Sequence, residues 1–124
     1  MYIYMSIYQD IILEYYRNPR NFGHLKSATN QTSLKNPLCG DTIEMEIVEK
    51  DGVIEEIAYT GSGCAISQAS ASMLTDFVKG KTKDEIKKID KDVITDMLGI
   101  ELSPNRLKCA LLSLEALHIL MSDN

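Results

Sequence analysis

Thr42-Ile43-Glu44-Met45-Glu46-Ile47-Val48-Glu49-Lys50-Asp51-Gly52-Val53-Ile54-Glu55-Glu56-Ile57-Ala58-Tyr59-Thr60 is the stretch that decides the architecture. Across residues 42–48, Ile43, Met45 and Ile47 alternate with Glu44 and Glu46, and Glu49 follows beyond Val48. Successive side chains of a strand point to opposite faces, so a period of two predicts a strand with one face buried. Lys50-Asp51-Gly52 then predicts a hairpin turn, since glycine takes positive φ without steric cost. Residues 53–60 return as the partner strand.

Upstream, residues 28–35 are polar and read ambiguously, with an edge strand as the structured option. Before them Ile7, Ile11, Ile12, Tyr15 and Tyr16 recur at helical spacing behind Ser6, which has the chemistry of an N-cap. That helix should stop before Asn18-Pro19, because a residue preceding proline avoids the α region. Downstream the pattern changes, and residues 65–78, 82–89, 92–98 and 103–121 all read as helices. Ser103 as N-cap with Pro104 at the first helical position is the best-marked helix start in the chain. The sum is an α+β fold, a small antiparallel sheet of about three strands packed against helices, forming one domain over residues 1–124. Neither a repeat nor a linker rich in Pro, Gly or Ser interrupts it.

Composition narrows the classes of function. A net charge of −5 gives no electrostatic footprint for nucleic acid. Asp10 and Glu14 interrupt a mildly apolar N-terminus that has no basic leader, so neither a signal peptide nor a membrane span is expected. Three cysteines cannot close into internal pairs, and thiols without a disulfide pattern suit a reducing cytoplasm.

Each cysteine sits in a different local context: Pro37-Leu38-Cys39-Gly40-Asp41, Gly61-Ser62-Gly63-Cys64-Ala65 and Arg106-Leu107-Lys108-Cys109-Ala110. Cys39 and Asp41 are two apart, and in extended chain both would face one side. Cys64 ends the hairpin and opens a helix, where unsatisfied N–H groups and the positive dipole end stabilise negative charge on sulfur. Cys109 falls in the second turn of the last helix, with Arg106 one turn before it and Lys108 beside it as charge-offsetting cations. Three thiols and the Asp41 carboxylate make four donors, a complete set for zinc or for an iron–sulfur cluster. The hard carboxylate is the more exchangeable of the four.

Plainer readings compete with this one. A lone cysteine is more often a small core residue than a ligand, and Asp41 could simply close a turn. His24 and His118 lack metal-site spacing; His118 is nine residues past Cys109 and so on the opposite helix face. The run Ser67-Gln68-Ala69-Ser70-Ala71-Ser72 has no partnered base and reads as a thin helix face suited to close packing.

Taken together, the chain resembles the IscU/NifU N-terminal family of iron–sulfur cluster assembly scaffolds over essentially its whole length. The resemblance rests on Tyr15-Tyr16-Arg17-Asn18-Pro19-Arg20-Asn21-Phe22-Gly23, Cys39-Gly40-Asp41, Gly63-Cys64-Ala65-Ile66-Ser67 and Leu102-Ser103-Pro104-Asn105-Arg106-Leu107-Lys108-Cys109. It implies an IscU-like fold and a carrier rather than a turnover enzyme. A cysteine desulfurase would supply persulfide sulfur, an iron donor the metal, and a transient [2Fe–2S] cluster would pass to recipient apoproteins. Cys39, Cys64 and Cys109 would be cluster ligands, Cys109 the sulfur acceptor, and Asp41 the labile ligand that favours release.

Two departures shape that expectation. IscU proteins have histidine where this chain has Lys108; in this and in the 61–73 run it looks like SufU, a zinc-dependent sulfur acceptor whose Zn2+ sits on three Cys and one Asp. SufU also carries an insertion between its second and third cysteines, which the 64–109 stretch is too short to hold. The segment 102–106 resembles only partly the proline-rich element that recruits an Hsp70-type chaperone, so the chaperone is not carried over. The expected functions are therefore a cluster scaffold, with a zinc-dependent sulfurtransferase partner of a desulfurase as the alternative. A structural zinc site in an interaction protein is the third.

Overall fold

The computed structural model describes residues 2–38 and 40–122, with side chains from Tyr8 onward. The elements run α1 (Tyr2–Arg17), β1 (Asn30–Lys35), β2 (Thr42–Lys50), β3 (Val53–Ser62), α2 (Ala65–Val78), α3 (Lys83–Lys87), α4 (Lys91–Leu98) and α5 (Pro104–Leu120). The strands form one antiparallel sheet in the order β1-β2-β3. The α+β architecture expected from the sequence is the one observed.

Ile43, Met45 and Ile47 of β2 are buried against the helices, and the Glu44 side of the strand faces away from them. At the hairpin tip Asp51 and Gly52 both have positive φ, 55° and 79°, the pairing that matches the twist of two-residue hairpins. The register shifts between Val48 and Glu49, which pair with Glu56 and Ile54, so Glu55 is an extra residue on β3. This bulge explains why Glu55 and Glu56 are both exposed while Ile54 and Ile57, three apart, are both buried.

The ambiguous segment is an edge strand. β1 is polar, yet it alternates half-buried and exposed positions and pairs with β2 from Asn30↔Ile47 to Lys35↔Thr42. The other edge is partly covered by the loop after α1. Gly23 N–H donates to Tyr59 O at 2.8 Å, and Tyr59 N–H donates to Asn21 O at 3.0 Å.

The first helix corrects the reading of Ser6. α1 already runs from Tyr2, so Ser6 is inside the helix rather than capping it. With neither glycine nor proline among residues 2–6, the chain lacks a breaker there, and serine is tolerated within a helix. The stop is as expected, with Arg17 the last helical residue before Asn18-Pro19. Downstream, Thr82, Asp90 and Ser103 each accept a backbone N–H at the start of α3, α4 and α5.

α2 and α5 pack closely over the sheet because their contact is made of small residues. Ala69, Ser70, Ala71 and Ser72 on α2 are buried, as are Ala110, Ser113 and Ala116 on α5. Ser70 Oγ donates to Ala110 O at 2.6 Å, an approach a larger side chain would prevent. The Ser/Ala run is thus a packing surface. Its consequence is that α5 lies close beside the start of α2.

Candidate metal centre

Three donors converge where the sheet ends. Thr42 at the start of β2 pairs with Ser62 at the end of β3, which brings Asp41 beside the β3–α2 connection. Cys64 caps α2, and Ser67 N–H points at its Sγ from 3.5 Å. Cys109 arrives on α5 through the tight α2–α5 packing. One ligand atom from each of Asp41, Cys64 and Cys109 lies within 4.8 Å of the other two. Cys39 lies outside the described residues.

The electrostatics of Asp41 distinguish this cluster from a chance grouping. Asp41 is only 2% exposed, and its Oδ2 is buried without a hydrogen-bond partner among the described residues. A buried carboxylate oxygen left unpaired is costly, whereas a cation beside it removes the cost. Gly63 leaves the space for it, since a Cβ there would stand 2.5 Å from Asp41 Oδ1. Two thiols and an oxygen aimed at one point fit zinc or thiolate-bound iron.

The donors open onto a cavity of about 450 Å³ whose lining includes Leu38, Asp41, Cys64, Arg106 and Cys109. Arg106 borders it from the first turn of α5 and, among the described residues, forms no ion pair. Lys108 is exposed and is not part of the lining, although it adjoins Cys109 in sequence. A larger cavity of about 700 Å³, lined by Tyr8, Asp96, Gly99 and Leu102 among others, offers neither thiol nor imidazole. Chemistry, not size, singles out the smaller one.

Neither histidine joins this site. His118 Nε2 meets Ile86 O at 3.2 Å, away from Cys109. His24 Nδ1 lies 3.0 Å from Glu46 Oε2 and 3.6 Å from Glu44 Oε1, a second grouping of metal-capable side chains that sequence spacing did not reveal. Here the contrast with Asp41 is informative. Glu46 Oε1 accepts Leu25 N–H at 2.7 Å and Oε2 is paired with His24, so both oxygens are already satisfied. An ion pair accounts for that cluster fully.

Fold and side chains define a class, a small α+β protein with two thiols and a buried carboxylate grouped at one end of its sheet. The chain belongs to the NifU-like N-terminal domain family, whose family model matches residues 7–123. It is 36% identical over 117 residues to the iron-sulfur cluster assembly scaffold protein IscU 1 of Archaeoglobus fulgidus, covering 94% of this chain and 76% of that one. It is 34% identical over 130 residues to the zinc-dependent sulfurtransferase SufU of Bacillus subtilis, covering 91% and 88%. The crystal structure of a nitrogen-fixing NifU-like protein, N-terminal part, from Brucella abortus superposes with a TM-score of 0.74 at 26% identity, over 93% and 92% of the two chains.

The lengths of those alignments differ in a useful way. The 117 positions shared with IscU 1 take 94% of this chain, close to residue for residue. The alignment with SufU is 130 positions long but takes up only 91% of this 124-residue chain, so SufU has residues with no counterpart here. No helix among the described residues is long and apolar enough to cross a membrane.

Proposed function

We propose that this protein is a scaffold on which an iron–sulfur cluster is built from persulfide sulfur and iron and then handed to apoproteins. The observation that carries the reading is the buried, unpartnered Asp41 Oδ2 beside the Cys64 and Cys109 thiols. In it, Cys39, Cys64, Cys109 and Asp41 hold the cluster, which is a [2Fe–2S] core and is cargo, not a resident group. A cysteine desulfurase is the sulfur donor, and the work is done in the cytoplasm.

The residues divide the chemistry. Cys109 thiolate attacks the outer sulfur of the desulfurase persulfide, forming a persulfide on Cys109 and releasing the desulfurase thiolate. Converting that sulfur to sulfide takes two electrons from an external reductant. Arg106 at the cavity border offsets the anionic charge that accumulates as sulfur arrives. Asp41 supplies a hard oxygen among soft sulfurs, the bond that exchanges first when the cluster leaves. Burial of Asp41 and Cys109 keeps water from the inner side of the site.

A second reading is a zinc-dependent sulfur acceptor, favoured by Lys108 and by the 34% identity with SufU. The same four residues would hold Zn2+, which when bound keeps the thiols deprotonated. The near gap-free match to IscU 1 favours the scaffold.

Anaerobic reconstitution of metal-free protein with iron, cysteine and a cysteine desulfurase separates the two. Visible charge-transfer bands that pass to an added apo-ferredoxin are the result expected of a scaffold. Absence of bands together with zinc-dependent acceleration of the desulfurase would assign the sulfur-acceptor role instead.

A further inference from the structure

We infer that Asn36 is a positioning residue for Asp41, acting through its side-chain carbonyl. The inference rests on the proposed role of Asp41 as a ligand. Asn36 is 8% exposed and sits opposite Asp41 where the β1–β2 hairpin opens into its loop. Its N–H donates to Asp41 O at 2.8 Å, and its main-chain carbonyl accepts Gly40 N–H at 2.7 Å. Its side-chain Oδ1 accepts Leu38 N–H at 3.0 Å.

One residue therefore ties down three points of the 36–41 loop. Pro37 strengthens the arrangement, because its ring fixes φ and presets the turn that the Asn36 side chain closes two residues on. The dependence on Asn36 follows from what Asp41 lacks. A ligating carboxylate is ordinarily aimed by outer hydrogen bonds. Asp41 Oδ2 has none among the described residues. Its direction is set by the backbone that carries it and by contact with Gly63; that backbone is bonded to the Asn36 main chain, and the Asn36 side chain fixes the turn between them at Leu38.

The test uses the full chain loaded with zinc and follows release of the metal to a chromophoric chelator. Asn36→Leu keeps the volume without the acceptor, whereas Asn36→Ser restores a neutral oxygen. Release about 10-fold faster or more, the lower end of outer-shell effects, is expected for Asn36→Leu, with Asn36→Ser close to wild type. The cobalt-substituted protein should show altered ligand-field bands in Asn36→Leu and near-native bands in Asn36→Ser. Wild-type release in Asn36→Leu, or equal impairment of both variants, overturns the inference.

Asp41→Ala run alongside separates the two levels. If it too releases zinc at the wild-type rate, Asp41 is not a ligand and the proposed function fails with the inference. If Asp41→Ala is impaired and Asn36→Leu is not, only the role of Asn36 fails. Should Asn36→Leu not fold, amide exchange at Leu38 in the wild-type protein decides. Protection is expected, and exchange at the rate of an unstructured amide overturns the inference.

Discussion

Gly63 and Asp41 are in contact across the hairpin end, so closely that a Cβ on Gly63 would stand 2.5 Å from Asp41 Oδ1 and 2.7 Å from its Cγ. Gly63→Ala must push the carboxylate away from the thiols while leaving the strands paired. The expected result is zinc release about 10-fold faster or more, with a lower melting temperature for the metal-free protein too, because the added Cβ crowds buried Asp41 at a φ of 159°. Gly61 is the control. A Cβ there would meet the Thr42 carbonyl at 2.2 Å, inside the sheet. Gly61→Ala should cost about 1–3 kcal/mol of fold stability, read by urea unfolding.

Asp41→Ala should affect the metal-free and loaded proteins in opposite directions. Without metal, the variant loses an unpaired buried oxygen, so its melting temperature should equal or exceed that of wild type. With zinc, it loses a ligand, and the increase in melting temperature on loading should shrink. On the scaffold reading, a reconstituted cluster should also persist longer in Asp41→Ala and transfer more slowly. A metal-free variant melting well below wild type would show that the carboxylate has a structural partner.

Arg106 and Lys108 should separate in a sulfur-transfer assay. Arg106 borders the cavity and Lys108 does not. Arg106→Ala is expected to slow persulfide transfer to Cys109 by about 10-fold, because its charge borders the cavity where anionic sulfur arrives. Lys108→Ala should stay within about 2-fold, as for a surface charge outside the cavity. Equal losses in both variants would place Lys108 at the site.

The His24–Glu46 pair predicts a pH window. Its hydrogen bond with Glu46 raises the His24 pKa above the ordinary 6.5. The Leu25 N–H bond, and after it His24, holds the Glu46 pKa below the ordinary 4.5. The His24 contribution is complete below 6.5 and fades as pH rises through the raised value. The Glu46 contribution is complete above 4.5 and fades as pH falls through the lowered value. The pair is therefore fully formed between those limits. NMR titration should find His24 above the ordinary imidazole value, and Glu46→Gln should return it toward that value.

The sheet was legible because the alternation of Ile43, Met45 and Ile47 with glutamates admits only one burial pattern. β1 was not, since an edge strand with one water-exposed side can be almost wholly polar, as Asn30 to Lys35 is. The β3 bulge left only the doublet Glu55-Glu56 as its trace. The start of α1 was misread because Ser6 has the chemistry of a cap and a cap is permitted, not compelled, where it appears. At the site, residue type brought Asp41, Cys64 and Cys109 to attention before any geometry. The unequal placement of Arg106 and Lys108 could have been read from helical spacing, because residues three apart share a face and neighbours do not. The loop-closing bonds of Asn36 left no signal beyond an asparagine before a proline.

The close packing of α2 against α5 also sets an order of events. Asp41 and Cys64 are brought together by a hairpin and the turn that follows it, all local chain. Cys109 joins them only when α5 docks, with Ser70 reaching Ala110 beside it. On a ribosome the earlier donors emerge first and have only part of a coordination sphere to offer. On the proposed function, high-affinity metal capture would then wait for the last helix, so that only a finished fold could be loaded.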